Sequence, residues 1–216
     1  HRYTRKEMVR KLISQGFLVP PKIVLYEVPP TEDEGQNYLS IYSKYIVKNE
    51  VRNEIIISVA NKLIEKNRKV LILVRQISHG ENLFNRLRQL GISTYFVNGE
   101  VDGETRQEVK KDFENGSYKC LIASSVFDIG VDIPVLDALI LGGGGKSTVR
   151  ALQRIGRVIR IADNKKDAIV IDFIDNAKYL DKHSAARITT YETEPEFKIK
   201  FPAGFDQQTI KRSKKV

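Results

Sequence analysis

Short apolar runs alternate with amphipathic segments from residue 50 to residue 173. Residues 70–74 are five consecutive apolar side chains, which is typical of a strand buried on both faces of a sheet. Residues 50–67, just before them, carry apolar side chains at four-residue spacing, the pattern of an amphipathic helix. Strands and helices that alternate with short connections form a parallel sheet with helices on both faces. The sequence therefore predicts an α/β fold of three layers, α/β/α.

Further elements extend this alternation in both directions. A capping box at Thr4 and Glu7 begins a helix that ends near Gly16, and Pro-Pro pairs bound a strand at 22–28. Residues 177–190 have a helical pattern, and the residues after them are weakly patterned. The remaining expectations are helices at 38–45, 78–90, 102–114 and 147–161, and strands at 94–97, 120–123, 136–141 and 168–173.

The composition excludes several classes of protein. Hydrophobic residues make up 41% and charged residues 29% of the 216 residues, a balance that excludes a disordered or collagen-like chain. The longest apolar stretches run to about five residues, whereas a membrane-spanning helix needs about 20, so we expect no membrane partner. The one cysteine, Cys120, excludes an internal disulfide and a Cys-rich zinc site, and we expect no metal site. Cys120 itself is expected to be a buried strand residue rather than a nucleophile.

The positive charge of the chain lies mainly at its two ends. The net charge is +9, of which residues 1–11 carry +4 and residues 211–216 another +4. About +1 is left for everything between them, so the α/β region itself is not strongly basic. A basic tail is more often a solvated end than a binding surface. Charge alone therefore decides no function, although a non-catalytic nucleic-acid-binding module that works through these ends is one hypothesis.

A glycine-rich segment, Gly142-Gly-Gly-Gly-Lys-Ser-Thr148, lies between a predicted strand and a predicted helix. A phosphate-binding P-loop with the spacing G-x-x-x-x-G-K-[ST] would have this context. With Gly145, Lys146 and Ser147 at its end, such a loop needs glycine at position 140, where the chain has Ile140. The glycines are too close to the lysine for backbone N–H groups to wrap around a phosphate. We expect a flexible linker here, and a self-sufficient P-loop kinase that uses residues 142–148 is the alternative.

An arginine cluster occupies one face of the predicted helix at 147–161. At about 100° per residue, Gln153, Arg157 and Arg160 lie within about 60° of one another on that face. Apolar side chains occupy the other side, and Gly156 allows another group to approach the backbone closely. Arginines on a packed helix at the edge of a sheet are suited to forked recognition of phosphate.

The octet at 153–160 matches a known helicase motif. Gln153, Gly156, Arg157 and Arg160 have the Q-x-x-G-R-x-x-R form of motif VI in superfamily 2 helicases and translocases. The chain thereby resembles the second, C-terminal RecA-like domain of these motors, in particular that of the UvsW-like phage DNA helicases. The other motifs of that domain occur in order: residues 74–79 resemble motif IV, Asn98-Gly99 with Arg106, Phe113 and Gly116 resembles the segment after it, and residues 122–134 resemble motif V.

The resemblance implies an ATP site shared between two motor domains. ATP and Mg²⁺ would be held mainly by the first RecA-like domain, to which the Walker A and D-E-x-D/H motifs belong, so this chain alone is expected to be inactive. Arg157 and Arg160 would reach the γ-phosphate as arginine fingers, and Gln153 would position the attacking water or the fingers. Gly130 and Asp132 would line the nucleotide cleft and couple it to the nucleic acid. The implied division is 1–20 as interdomain connection or N-terminal extension, 21–176 as the helicase C-terminal RecA-like domain, and 177–216 as a C-terminal helical extension with a basic tail.

The resemblance also implies the partners, which are the first RecA-like domain of the same protein and DNA, with RNA as the alternative. Ser125 stands where DEAD-box motif V commonly has aspartate, and Gln153 where those proteins have histidine. Both departures favour a DNA translocase over a DEAD-box RNA helicase. Because the chain begins at His1, we expect a fragment or a processed chain. We also expect it to be located in the cytoplasm of a bacterium or a phage-infected host.

Polar residues at the predicted loops are expected to contact the nucleic-acid backbone. His79 opens a predicted helix, where it either touches phosphate or is an ordinary surface residue. Tyr38, Tyr42 and Tyr45, at i, i+4 and i+7, form a core-facing aromatic stripe in the favoured interpretation and a base-stacking surface in the other. The full set of expected nucleic-acid contacts is Gln76, Ser78, His79, Asn98, Gly99, Ser124 and Ser125.

Overall fold

The computed structural model describes residues 5–15, 18–30, 37–124, 135–146 and 167–207. The helices in these ranges are α1 (Arg5–Ser14), α2 (Tyr38–Tyr42), which continues as one π-helical turn over Ser43–Val47, α3 (Glu50–Glu65), α4 (Ile77–Gln89), α5 (Gly103–Asn115) and α6 (Leu180–Glu192). The strands are β1 (Pro21–Val28), β2 (Val70–Leu73), β3 (Thr94–Val97), β4 (Cys120–Ala123), β5 (Ala138–Ile140), β6 (Ala168–Asp175) and β7 (Lys198–Lys200).

The described strands form one parallel sheet. Their order across it is β3-β4-β2-β5-β6-β1-β7, and each described neighbour pair is parallel. In the centre, Val70 of β2 lies level with Cys120 on one side and with Ala138 on the other. Because all these strands run in one direction, their carboxyl ends lie at a single edge, called the carboxyl edge below.

Helices cover both faces of the sheet, as the sequence predicts. Alternate strand residues point to opposite faces, so Leu71 and Leu73 belong to one apolar core while Val70 and Ile72 belong to the other. The first core is completed by α5 and α6, and the second by α3 and α4. The expected three-layer α/β/α fold is confirmed.

Short polar residues set the start of two helices. The Asp102 carboxylate accepts the N–H of Thr105 at 2.9 Å and caps α5, and this hydrogen bond lowers the pKa of the carboxyl. Gly116, at φ 92°, ends α5 in the left-handed conformation. The Asn49 side chain accepts the N–H of Arg52 at 3.0 Å and caps α3. These caps fix the rotation of each helix and therefore which side chains face the sheet.

The structure differs from the predicted elements in two places. The pattern does not predict β7, because Lys198-Ile199-Lys200 has a single apolar residue and pairs at the border of the sheet, where lysines are tolerated. Residues 38–45 form α2 and the π-helical turn rather than one regular helix. The predicted helix at 147–161 lies outside the described residues. The division of the chain at residue 176 stays a prediction, although α6 and β7 pack on the same sheet.

None of the helices in the described ranges is long and apolar enough to cross a membrane.

Candidate functional site

Loops that follow four neighbouring strands meet at the carboxyl edge. Open parallel sheets bind ligands outside the carboxyl ends of their strands. The expected nucleic-acid contacts follow β2, β3 and β4, and the glycine-rich segment follows β5. The structure therefore places Gln76, Ser78, Asn98, Gly99 and Ser124 at one edge, while their roles stay predictions.

These five residues differ in how much of each a ligand can reach. Ser78 and Gly99 are exposed, Gln76 and Asn98 are half-buried, and Ser124 is 4% exposed. The Asn98 Oδ1 accepts the backbone N–H two positions later at 2.9 Å, so this side chain also holds its own turn. Exposed hydroxyl and N–H groups suit phosphate contacts that carry no sequence information.

His79 is buried, and the expectation that it touches phosphate or lies at the surface is wrong. Its side chain is fully shielded, and its Nε2 lies 2.9 Å from the Asn53 Oδ1 on α3. Burial, reinforced by the charge of Arg52, lowers the pKa of His79 to about 3, so the ring is neutral. A Cβ on Gly80 would lie 2.4 Å from the Phe96 ring, so only glycine lets the first turn of α4 pack this closely on the sheet.

Residues 142–145, called the glycine loop below, are buried and hydrogen-bonded, and the expectation of a flexible linker is wrong. Arg52, Tyr42 and Arg187 donate hydrogen bonds to the carbonyls of positions 142, 143 and 145 respectively, the last two at 2.7 Å. The N–H of position 143 donates to a carbonyl of β2 at 2.7 Å, and that of position 144 to the carbonyl that follows β5 at 3.3 Å. The loop is thus fixed from several sides.

Glycine is required in this loop for close packing rather than for flexibility. Gly144, at φ 53°, and Gly145, at φ 106°, have backbone conformations that other residues rarely adopt. A Cβ on Gly143 would lie 2.9 Å from the backbone N of Arg75. The run of glycines after the buried strand β5 therefore allows the loop to lie in close contact with neighbouring backbone.

The glycine loop does not fit a phosphate ion. A phosphate-binding loop presents its N–H groups to the anion, whereas here Gly143 and Gly144 donate within the protein and three carbonyls face side-chain donors. Among the residues that the structure describes, no group of three His, Cys, Asp or Glu side chains could hold a metal ion. The P-loop kinase alternative thus receives no support from residues 142–146.

Two buried arginines connect the glycine loop to β6. Arg52 lies 2.9 Å from Asp175 and Arg187 lies 2.8 Å from Asp172, with all four side chains at most 4% exposed. The Tyr191 hydroxyl also donates to Asp172, at 2.7 Å. Burial opposes the charge of Arg187, but Asp172 outweighs this effect and raises the pKa of the guanidinium. Each arginine bridges a carboxylate of β6 and a carbonyl of the loop, so the loop cannot move without losing a hydrogen bond from a buried, ion-paired guanidinium.

These arginines are functional-site residues that the sequence analysis does not identify. Asp172 and Asp175 interrupt the apolar run of β6, and a carboxylate in a buried strand requires a partner. That signal indicates a cation nearby. It does not identify the cation, because the partners lie 15 and 123 residues away along the chain.

Two expectations about buried residues are confirmed. Tyr42 and Tyr45 are 3% and 5% exposed and pack with the apolar residues of α2 and the π-helical turn, while Tyr38 is half-buried. Burial raises the pKa of Tyr42 to about 12. Cys120 is fully buried in β4, where burial raises the pKa of its thiol. The tyrosine stripe therefore faces the core, with Tyr38 at its border.

The residues expected to act on ATP lie outside the described ranges. The glycine loop ends at position 145, and Gln153 follows eight positions later. The described range 135–146 ends at Lys146, seven positions before Gln153. The undescribed site residues are Ser125, Gly130, Asp132, Gln153, Arg157 and Arg160.

A parallel sheet between two helical layers, with its loops gathered at the carboxyl edge, defines a RecA-like α/β domain. The family model for the helicase conserved C-terminal domain matches residues 49–162, more than half of the chain. The chain belongs to this family, and it has the fold of the second RecA-like domain of superfamily 2 helicases.

Comparisons with individual proteins agree with this assignment. The ATP-dependent DNA helicase uvsW of Enterobacteria phage T4 is 34% identical over 206 residues, which cover 85% of this chain and 41% of that protein. Putative helicase 22 of Sulfolobus islandicus filamentous virus is 28% identical, with coverage of 85% and 35%. The chain therefore spans about two fifths or less of the length of these relatives.

Solved structures show the same fold. The crystal structure of T4 UvsW superposes with a TM-score of 0.67 at 30% identity, over 84% of this chain and 40% of that one. The C-terminal domain of the DEAD-box protein Dbp5 superposes with a TM-score of 0.59 over 92% of this chain and 98% of that one. Its identity is 16%, so that comparison concerns the fold alone.

Proposed function

We propose that this chain is the second motor domain of an ATP-dependent DNA helicase or translocase. In this function it supplies arginine fingers to ATP bound between two RecA-like domains and contacts the backbone of the nucleic acid. The observation that carries the proposal is the anchored glycine loop, because it lies directly before the segment that contains Gln153, Arg157 and Arg160. Membership of the helicase C-terminal family supports it.

The proposed chemistry is phosphoryl transfer from ATP to water. Arg157 and Arg160 stabilise the negative charge that develops on the γ-phosphate, and Gln153 orients the attacking water or the two fingers. Gly130 and Asp132 line the cleft and connect it to the nucleic-acid surface. Mg²⁺ would be held mainly by the first domain, where it would supply positive charge against the phosphates.

An anchored entry to the finger segment suits this chemistry. A displacement of about 1 Å in a catalytic group can reduce a rate by about 10²-fold. Arg52 and Arg187 hold the glycine loop through hydrogen bonds backed by buried carboxylates. The finger segment therefore starts from a fixed point of the sheet rather than from a mobile linker.

The nucleic-acid contacts are proposed at the same edge. Ser78 and Gly99 are the accessible donors, supported by Gln76 and Asn98 and by the pair Ser124 and Ser125. Such groups bind phosphates without reading the sequence of bases. DNA is the proposed substrate because the T4 relative is a DNA helicase, and RNA is the alternative. The first RecA-like domain is the proposed protein partner.

Alanine substitution of the fingers tests this function in a protein that joins this chain to its first RecA-like domain. Arg157→Ala or Arg160→Ala should reduce nucleic-acid-stimulated ATP turnover by about 10³–10⁵-fold, because finger arginines act mainly in the transition state. Arg157→Lys should restore little, since a point charge does not replace the planar fork. Steady-state ATPase rates and thermal melting of each variant are measured together.

The matched control is Arg150→Ala, because Arg150 lies seven residues before Arg157 in the sequence and has no position in the motif. Its ATPase loss should be mild. Wild-type turnover by the two finger variants, or an equal loss in the control, would show that the arginines have another role.

A further inference from the structure

Three partly exposed aromatic side chains form a cluster at the carboxyl edge, beside the ends of β1 and β6. Tyr38 lies 6.3 Å from Tyr179 and 5.6 Å from His183, measured between ring centroids. Tyr179 is 39% exposed, and the other two side chains are half-buried. These three residues, called the aromatic patch below, therefore present ring surface to solvent rather than only to the core.

Cations surround the aromatic patch. The exposed Arg75 donates to the Tyr38 hydroxyl at 3.3 Å, and Lys178 lies 5.5 Å from the centre of the Tyr179 ring. Burial is the main cause that lowers the pKa of His183; the positive charges of Arg187, Lys146 and Arg75 add to this effect, and Asp181 opposes it. The patch thus combines ring faces with positive charge.

Tyr179 has a strained backbone. Its φ of 66° and ψ of −37° lie where residues other than glycine are rare. Strain of this kind is found mainly where a side chain is needed in a particular place. Glycine would adopt this backbone conformation without strain. The strain therefore points to a role for the tyrosine ring itself.

We propose that the aromatic patch, with Arg75 and Lys178, is a base-stacking site for single-stranded nucleic acid. The inference rests on the proposed function and names a contact beyond the backbone contacts given there. Bases of any sequence stack on aromatic rings, and adjacent cations neutralise the phosphates between them. A duplex hides its base faces within its own stack, so the site selects single strands. Arg75 directly precedes Gln76, which places the patch next to the expected phosphate contacts.

Binding of a fluorescein-labelled oligothymidylate at low salt tests the patch in the chain as it exists. Tyr179→Ala and Tyr38→Ala should each weaken binding by about 5- to 100-fold, the effect of one lost stacking ring. Tyr179→Phe and Tyr38→Phe keep the ring and should bind within about twofold of wild type. The matched control is Tyr118→Ala. Tyr118 packs against Tyr95 of β3, with 5.4 Å between ring centroids, on the far side of the sheet from β1 and β6. This variant should bind like wild type.

Tyr179→Gly separates a binding role from a structural one. Glycine relieves the strained backbone, so its melting temperature should equal or exceed that of Tyr179→Ala. Its affinity for the oligonucleotide should nevertheless fall as in Tyr179→Ala. Affinity that follows melting temperature across these variants would assign Tyr179 to the fold and overturn the proposal.

Cross-linking of the wild-type protein avoids any effect of substitution on folding. An oligonucleotide that contains 5-iododeoxyuridine should cross-link on irradiation to peptides that contain Tyr38, Tyr179 or His183, as mapped by mass spectrometry. Cross-links confined to other peptides would overturn the site. Displacement of the oligonucleotide by ATP, with equal weakening in the patch variants, would assign the patch to a nucleotide base instead.

The outcomes distinguish this inference from the proposed function. If the wild-type chain binds and the patch variants bind equally well, the aromatic patch is wrong and the proposed function stands. If the wild-type chain does not bind single strands at low salt, the aromatic patch is wrong, while the proposed function is decided separately by the ATPase rates of Arg157→Ala and Arg160→Ala in the joined protein.

Discussion

Two groups of polar residues at the carboxyl edge differ in what they contact. Arg52 and Arg187 are buried, and each joins a carboxylate of β6 to a carbonyl of the glycine loop. Ser78 and Gly99 are exposed at the same edge. A buried charge needs fixed partners, so it orders the backbone around it. An exposed donor can exchange water for a ligand. Burial, rather than position at the carboxyl edge, therefore separates residues that order the backbone from residues that can bind a ligand.

The proposed function assigns different tasks to the two groups. The buried group determines where the finger segment leaves the sheet, and the exposed group meets the nucleic acid. Arginine, the residue type most expected to bind phosphate, here belongs to the buried group at two positions. Both guanidinium groups are already paired with a carboxylate of β6.

Removal of Arg187 tests the buried group and has the largest expected effect. Arg187→Ala leaves Asp172 buried without a cation, so the free energy of unfolding should fall by about 3–5 kcal/mol. Arg86→Ala is the control, because Arg86 pairs with Glu50 and Glu54, whose side chains are 71% and 67% exposed. That loss should stay below about 1 kcal/mol. Urea denaturation compares the variants, and equal losses would remove the distinction between the two groups.

A substitution in the glycine loop has the next largest effect. Gly145→Ala forces a side chain into a backbone conformation at φ 106°, which should lower the free energy of unfolding by about 1–3 kcal/mol. Gly103→Ala is the control: it begins α5, a Cβ there has no atom within 4 Å, and it should be neutral or stabilising by up to about 1 kcal/mol. Thermal melting measures both. An unchanged Gly145→Ala protein would mean that the loop is a flexible linker after all.

The layers of the fold were predictable because they depend on local patterns. The strands at 94–97 and 120–123 occur at the predicted positions, since continuous apolar runs are read directly from neighbouring residues. The carboxyl edge was also predictable, because parallel strands put the loops that follow them on one side. β7 was not, because its single apolar residue gives no pattern and its pairing with β1 comes from the tertiary structure.

The interior of the site was less predictable because its contacts join distant parts of the chain. The Arg52–Asp175 pair spans 123 residues, and no local pattern identifies such a partner. The glycine run was interpreted by composition, although its role follows from contacts with Tyr42 and Arg187. His79 was placed at the surface because it begins a helix, whereas the close packing at Gly80 buries it.

Titration of His79 has the smallest expected effect and sharpens the comparison, because it asks to which group this residue belongs. Its pKa is about 3 in the folded protein and 6.5 ordinarily, so at pH 7.5 both states are neutral and its contribution to stability is complete. Below pH 6.5 the unfolded chain takes up a proton that the folded protein does not, and stability falls by about 1 kcal/mol between pH 7.5 and 5.5. His79→Gln keeps a donor for Asn53 and should lack this loss, whereas His183→Gln should keep most of it. Urea denaturation of the three proteins at both pH values measures the difference. Equal losses of stability in wild type and His79→Gln would show that His79 belongs to the exposed group, in which a side chain can contact a phosphate.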